Sequence, residues 1–152
     1  MTRGNARELA VHLIYAREFT GEEPESIIAS RLEKEYYSNL SQENQVYEQR
    51  PSRQQRAYID SVVSGVANRF EELNDIIQKY SIGWDITRIS RLTRTIMQLA
   101  IFEMLYLDDV PTGVAISEAV RIVKMYDGDE AGAFVNGILG TFARSYSSEV
   151  EA

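Results

Sequence analysis

Residues 59–77 read IDSVVSGVANRFEELNDII. Ile59, Val62, Val63, Val66, Phe70, Leu73 and Ile77 stand at offsets of 0, 3, 4, 7, 11, 14 and 18. These offsets trace one face of a 3.6-residue helix, whereas a strand would repeat every two residues. The run is long enough to need a break, and Asn68 is the expected place for it. Just upstream, Ser52 with Gln55 has the spacing of a capping box, in which each residue satisfies the other's backbone N–H.

The same reading extends in both directions. Asn5 with Glu8 has capping-box spacing, and the helix that follows carries Leu9, Ala10, Leu13 and Ile14 on one face. Thr20-Gly21 stops it. Pro24 suits the first turn of a second helix, where its missing N–H is harmless. Ile28, Leu32 and Tyr36 continue that helix. Residues 38–50 are polar and read as a connection that could divide the chain into two packed halves. Beyond residue 77, Gly83-Trp84-Asp85 marks a boundary. A helical stretch then runs to about Leu107, with Ile89, Leu92, Ile96, Leu99 and Ala100 inward. Asp108 to Pro111 is a turn. Ala115, Ala119, Ile122, Val123 and Tyr126 mark the next helix, and Asp127-Gly128-Asp129-Glu130 reads as a loop. Phe134, Val135, Ile138, Leu139 and Phe142 mark the last helix. No stretch alternates with period two for long enough to make a sheet. The expectation is an all-α, single-domain bundle of about six or seven helices over residues 1–147, with 148–152 as a frayed tail.

Composition excludes several classes. The 152 residues fit one domain. Cysteine is absent, so neither a disulfide framework nor a thiolate metal site is possible. The opening MTRGNAREL has no apolar segment of the kind a signal peptide needs, and no apolar run approaches the ~20 residues of a membrane span. A cytoplasmic protein is expected. The only histidine, His12, lies between Val11 and Leu13 on a helix, a structural setting. No nucleophile elbow, P-loop or dinucleotide fingerprint is present. Asp127-Gly128-Asp129-Glu130 fails the calcium-loop pattern, because its glycine and later ligands are misplaced. Gly137 and Gly140, three residues apart, suit close helix packing. No enzyme, no metal and no cofactor is expected.

The formal net charge of −7 argues against a general nucleic-acid binder. The charge is uneven, however. Eight acidic residues lie between Glu18 and Glu48, against Arg31 and Lys34. Arginines gather at Arg3/Arg7, at Arg50/Arg53/Arg56 and at Arg88/Arg91/Arg94. Guanidinium groups suit phosphates and bases, and they equally suit internal pairing with carboxylates. Arg7 and Tyr15 are eight residues apart, so with Arg3 they can present two cations and a stacking ring along one side of a helix. Arg121, Lys124 and Tyr126 form a second group near a helix end, where cations also complement the helix dipole. Arg88, Arg91 and Arg94 step around one side of a third helix. Glu118, Asp127, Asp129 and Glu130 are placed, by charge, to meet a basic protein partner.

Specific strings go further than spacing. Ala6-Arg7-Glu8-Leu9-Ala10 followed by Tyr15, then Leu99 through Leu105, then Val110-Pro111 with Val114-Ala115-Ile116-Ser117-Glu118-Ala119-Val120, Lys124 and Phe134-Val135-Asn136-Gly137-Ile138-Leu139, resemble the NusB family in order along nearly the whole chain. The resemblance is weakest from about 20 to 60. It implies an all-helical fold and a transcription antitermination factor. Such a factor binds the boxA element of ribosomal RNA leader transcripts together with NusE, a protein of the small ribosomal subunit. Other Nus factors and RNA polymerase join indirectly. Some members form homodimers that mask the RNA surface, so a homodimer is open to this chain. The fold also serves as a domain of certain ribosomal RNA methyltransferases, and 152 residues leave no room for that catalytic domain.

The sequence departs from the family pattern at Thr93-Arg94, where Asp-Arg is usual. Met97-Gln98 stands where Leu-Arg is frequent, and Ser117 where Asn is usual. The acidity, Thr93 and Gln98 favour an alternative: a NusB-fold module acting through protein contacts or self-association, with little RNA affinity. In the RNA-binding reading, Arg3 and Arg7 touch phosphates while Tyr15 and Tyr126 stack on unpaired bases.

Overall fold

Helix α1, Arg3–Thr20, begins where the Thr2 hydroxyl accepts the Asn5 N–H at 3.0 Å. The cap therefore lies three residues before the expected Asn5–Glu8 box, because Thr2 offers the same oxygen earlier and both box residues then fall inside the helix. Gly21 ends α1 at φ 71°, a left-handed conformation open to glycine, with its N–H on the Arg17 carbonyl at 2.9 Å. Helix α2, Pro24–Arg31, opens on its proline as expected. Helix α3, Arg53–Asn68, opens on the reciprocal box: Ser52 N–H donates to Gln55 Oε1 at 2.8 Å, and Gln55 N–H to Ser52 Oγ at 3.2 Å. The computed structural model describes residues 1–33, 50–83 and 89–151, with side chains to residue 147. Tyr36, Trp84, Asp85, Arg88 and most of the 38–50 connection lie outside the described residues.

The expected break comes at Asn68, and helix α4 resumes at Phe70–Tyr80. Helix α5, Arg91–Tyr106, is capped by Ser90, whose hydroxyl accepts the Thr93 N–H at 2.9 Å. Ile89 thus precedes the helix rather than lining it. Helix α6 spans Thr112–Asp127 and α7 spans Asp129–Glu151. The expected loop at 127–130 shrinks to Gly128 alone, at φ 91° and ψ 179°. That region of backbone space is essentially closed to residues with a side chain. One glycine therefore turns the chain, and Asp127 and Asp129 belong to helices. Among the described residues there are seven helices and no strand.

The chain clusters into two compact units, residues 1–68 and 69–152. The division falls at the helix break and not in the 38–50 connection. In the first unit α1 packs against α2 and α3. Ile59, Val62, Val63 and Val66 of α3 are fully buried there with Leu9, Ala10 and Ile27. Arg50 ties the end of α2, donating from Nη2 to the Leu32 carbonyl at 2.9 Å. In the second unit α5 packs against α4, α6 and α7. Its Ile96 to Phe102 stretch is buried with Leu73, Ile122, Val135, Ile138 and Leu139. Burying one such side chain contributes roughly 1.5–3 kcal/mol, so each unit has a core of its own.

Candidate nucleic-acid and partner interface

In the first unit, α1 and α3 together arrange the N-terminal cations. The Gln55 side-chain amide donates to the Met1 carbonyl, holding the start of the chain on α3. Tyr58, one turn beyond Gln55, is buried, and both N-terminal arginines address its ring. Arg3 Cζ lies 4.0 Å from the ring centroid and Arg7 Cζ 5.9 Å. Arg3 is exposed while Arg7 is only 3% exposed. The two arginines expected to act alike are therefore in different environments. A guanidinium over a tyrosine face is held by the ring quadrupole, more strongly where water is excluded.

Tyr15 is half-buried and meets Phe19 edge to face, with centroids 4.9 Å apart and planes at 70°. Phe19 is 60% exposed. Sequence reading missed both Tyr58 and Phe19. The signal for Phe19 was its position one turn beyond Tyr15; Tyr58, outside the apolar series that begins at Ile59, carried none. His12 is half-buried on the same helix. Burial lowers its pKa from the ordinary 6.5, and the Glu8 charge opposes that shift.

In the second unit the predicted residues separate. Arg91 is exposed at the start of α5, and Arg94 is half-buried with Cζ 5.4 Å from the Phe70 ring centroid. Arg121 Nε donates to Glu118, so a predicted RNA residue and a predicted partner residue engage each other one turn apart on α6. Asp127 accepts from the hydroxyls of Ser90 and Thr93. Its carboxylate links the end of α6 to the N-terminal cap of α5, at the positive end of that helix dipole. Asp129 and Glu130 are exposed in the first turn of α7, where negative charge is likewise favourable. Lys124, Met125 and Tyr126 are exposed at the end of α6.

Arg69, Glu72 and Tyr106 form a cluster that spacing did not reveal. Arg69 Cζ sits 4.1 Å over the Tyr106 ring, and the Tyr106 hydroxyl donates to Glu72 Oε1 at 2.8 Å. That hydrogen bond is the main reason the phenol's pKa rises above 10.0. The expected close packing at Gly137 and Gly140 is not found: a Cβ on Gly137 would meet nothing within 4 Å, and one on Gly140 only Arg144 Nη1 at 3.4 Å. Both glycines lie off the packed face of α7. Among the described residues no group of three metal-ligating side chains gathers, and no helix is long and apolar enough to cross a membrane.

The chain as a whole is similar to known proteins. The family model described as NusB family matches residues 4–144. A transcription antitermination protein NusB of Acetivibrio thermocellus is 43% identical over 140 residues, covering 92% of this chain and 87% of that protein. Another, of Agathobacter rectalis, is 36% identical over 94% of this chain and 100% of its own length. Among solved structures, T. maritima NusB matches with a TM-score of 0.76 at 26% identity, covering 95% of this chain and 92% of that one. A chain of the crystal structure of antitermination factors NusB and NusE in complex with dsRNA matches in fold, with a TM-score of 0.72 at 24% identity, covering 95% and 97%.

Proposed function

The chain belongs to the NusB family, and from that premise we propose that it is a transcription antitermination factor binding boxA-type RNA of ribosomal RNA leader transcripts together with NusE. It acts by binding in the cytoplasm and catalyses nothing. The observation that carries the RNA-binding half is the α1 array of the first unit. Arg3 presents an exposed guanidinium steadied over Tyr58, and Tyr15 and Phe19 supply aromatic faces on the same helix. Cations take phosphates, and aromatic rings take unpaired bases.

A chain of net charge −7 makes few phosphate contacts, so its own affinity for RNA is weak and falls only gently with salt. NusE beside it adds basic surface. RNA bound across both proteins couples the two binding events, each strengthening the other. The exposed carboxylates of Asp129 and Glu130 suit contact with such a basic protein. Other Nus factors and RNA polymerase join through that assembly.

A second reading, a protein-interaction or self-associating module with little RNA affinity, is favoured by two observations. Arg7 is buried, and Arg121 is engaged by Glu118. A salt titration of binding to a boxA RNA oligonucleotide, with and without NusE, separates the two. Tyr15→Ala should weaken binding by roughly 5- to 150-fold, the value of one base-stacking contact. Arg3→Ala should weaken it less and flatten the salt dependence by about one unit of slope. If both variants bind like the parent at every salt concentration, the RNA surface is not on α1. If the parent binds no RNA even with NusE, the interaction module replaces the antitermination reading.

A further inference from the structure

Two cations stand one turn apart on α6 and are treated differently. Arg121 is engaged by Glu118. Lys124 is exposed, and its ammonium makes no hydrogen bond or ion pair among the described residues. Its stem is nevertheless held. A Cβ built on Gly132 of α7 would lie 2.7 Å from Lys124 Cγ, 2.9 Å from Cε and 3.4 Å from Cδ. Gly132 itself is buried. The lysine stem therefore lies along the first turns of α7, in a space that exists because residue 132 has no side chain. A lysine that is loose in solution loses rotamer freedom when it grips an anion. This one is ordered beforehand, with its ammonium left in water to meet one.

We infer that Gly132 is a positioning residue that seats Lys124 to receive a phosphate of bound single-stranded RNA. The inference rests on the RNA-binding reading above and adds a residue that touches no RNA. The ordinary account of a buried helical glycine is close helix approach. At Gly132, however, the nearest atoms to an added Cβ all belong to the Lys124 side chain, so a methyl group there would displace the lysine and leave the backbone in place. Alanine is also the better helix former. A merely structural Gly132→Ala would raise stability and leave binding alone.

The test combines Gly132→Ala, Lys124→Ala and the double variant, each titrated with boxA RNA and NusE across salt, with thermal midpoints measured in parallel. Gly132→Ala should keep or raise the midpoint and weaken binding by about 2- to 10-fold, the cost of ordering one long side chain. Its salt slope should match the parent, since the charge remains. Lys124→Ala should flatten the slope by about one unit. The double variant should bind no more weakly than Lys124→Ala, because the seat matters only through its occupant. Parent-like binding by either single variant, or losses that add in the double, would overturn the inference. The seat has its own readout in the free protein: the Lys124 methylene carbon and proton shifts should move to those of a solvated lysine in Gly132→Ala. Unmoved shifts would overturn the seat. Moved shifts support it even where the parent binds no RNA, which would instead remove the antitermination reading.

Discussion

Helix α1 in the first unit and helix α5 in the second occupy equivalent positions, each packed against every other helix of its unit described above. Both are covered on nearly all sides. Residues Ala6 to Val11 are buried without interruption in α1, and Thr95 to Glu103 in α5. What they carry inside differs. Helix α1 encloses Arg7 and Glu8, and α5 encloses Thr95, Gln98 and Glu103, the last three at 0% exposure. A central helix therefore takes in polar groups that a one-sided stripe would leave outside. A cation inside the buried stretch of such a helix, such as Arg7, works within the protein, whereas Arg3 at the start of α1 and Lys124 on α6 face water.

The equivalence can be broken by truncating one core residue in each centre. Leu9→Ala and Ile101→Ala should each cost about 2–5 kcal/mol in urea unfolding. Hydrogen exchange should show protection lost first in residues 1–68 for Leu9→Ala and in 69–152 for Ile101→Ala. Equal loss everywhere in both variants would mean that the two units unfold as one. The next effect contrasts two arginines on one ring. Arg7→Ala should cost about 2 kcal/mol or more, as for a desolvated cation–π contact, and Arg3→Ala only ~0.5–1 kcal/mol. Equal costs would show that burial does not separate them.

The fold was legible wherever local chemistry had a single solution. Ser52 with Gln55, Pro24, and the break at Asn68 each appear where the residues direct. The Thr2 cap was not legible, because Asn5 and Glu8 offer an equally good box and only packing decides which one is used. Burial of Arg7 was hidden for a similar reason. Leu9, Ala10, Leu13 and Ile14 mark the face that must be covered and say nothing of the neighbours that cover the rest. Asp127-Gly128-Asp129-Glu130 has the composition of a loop, yet one glycine in a backbone region closed to other residues makes the whole turn. Among the site residues, exposure of Lys124 and Tyr126 agrees with their positions at a helix end. The engagement of Arg121 by Glu118 was present in the spacing of three and could have been read as an internal pair.

A smaller contrast concerns Asp127, the polar link from α6 to the cap of α5. Asp127→Ala should cost about 1 kcal/mol by leaving the Ser90 and Thr93 hydroxyls without their acceptor. A thermal midpoint equal to the parent's would show that water replaces the carboxylate. The smallest effect uses pH. Burial lowers the His12 pKa below 6.5, so the unfolded chain takes up the proton first. Stability is greatest above 6.5 and is lost as pH falls below it, until His12 itself protonates. Unfolding midpoints at pH 7.5 and 5.5 should differ less in His12→Gln than in the parent. An identical acid loss in both proteins would assign it to carboxylates instead.

The single-residue corner at Gly128 has a consequence for how the chain can vary in length. Surface connections usually absorb insertions at little cost. This one cannot, because it fixes the rotational phase of α7 against α6. One added residue carried into α7 would turn the helix by ~100°. Leu139 and Phe142 would swing out of the core, and Gly132 would swing away from Lys124. Chains that keep this corner should hold the spacing between residues 124 and 132 fixed, even where nearly every side chain around it has been exchanged.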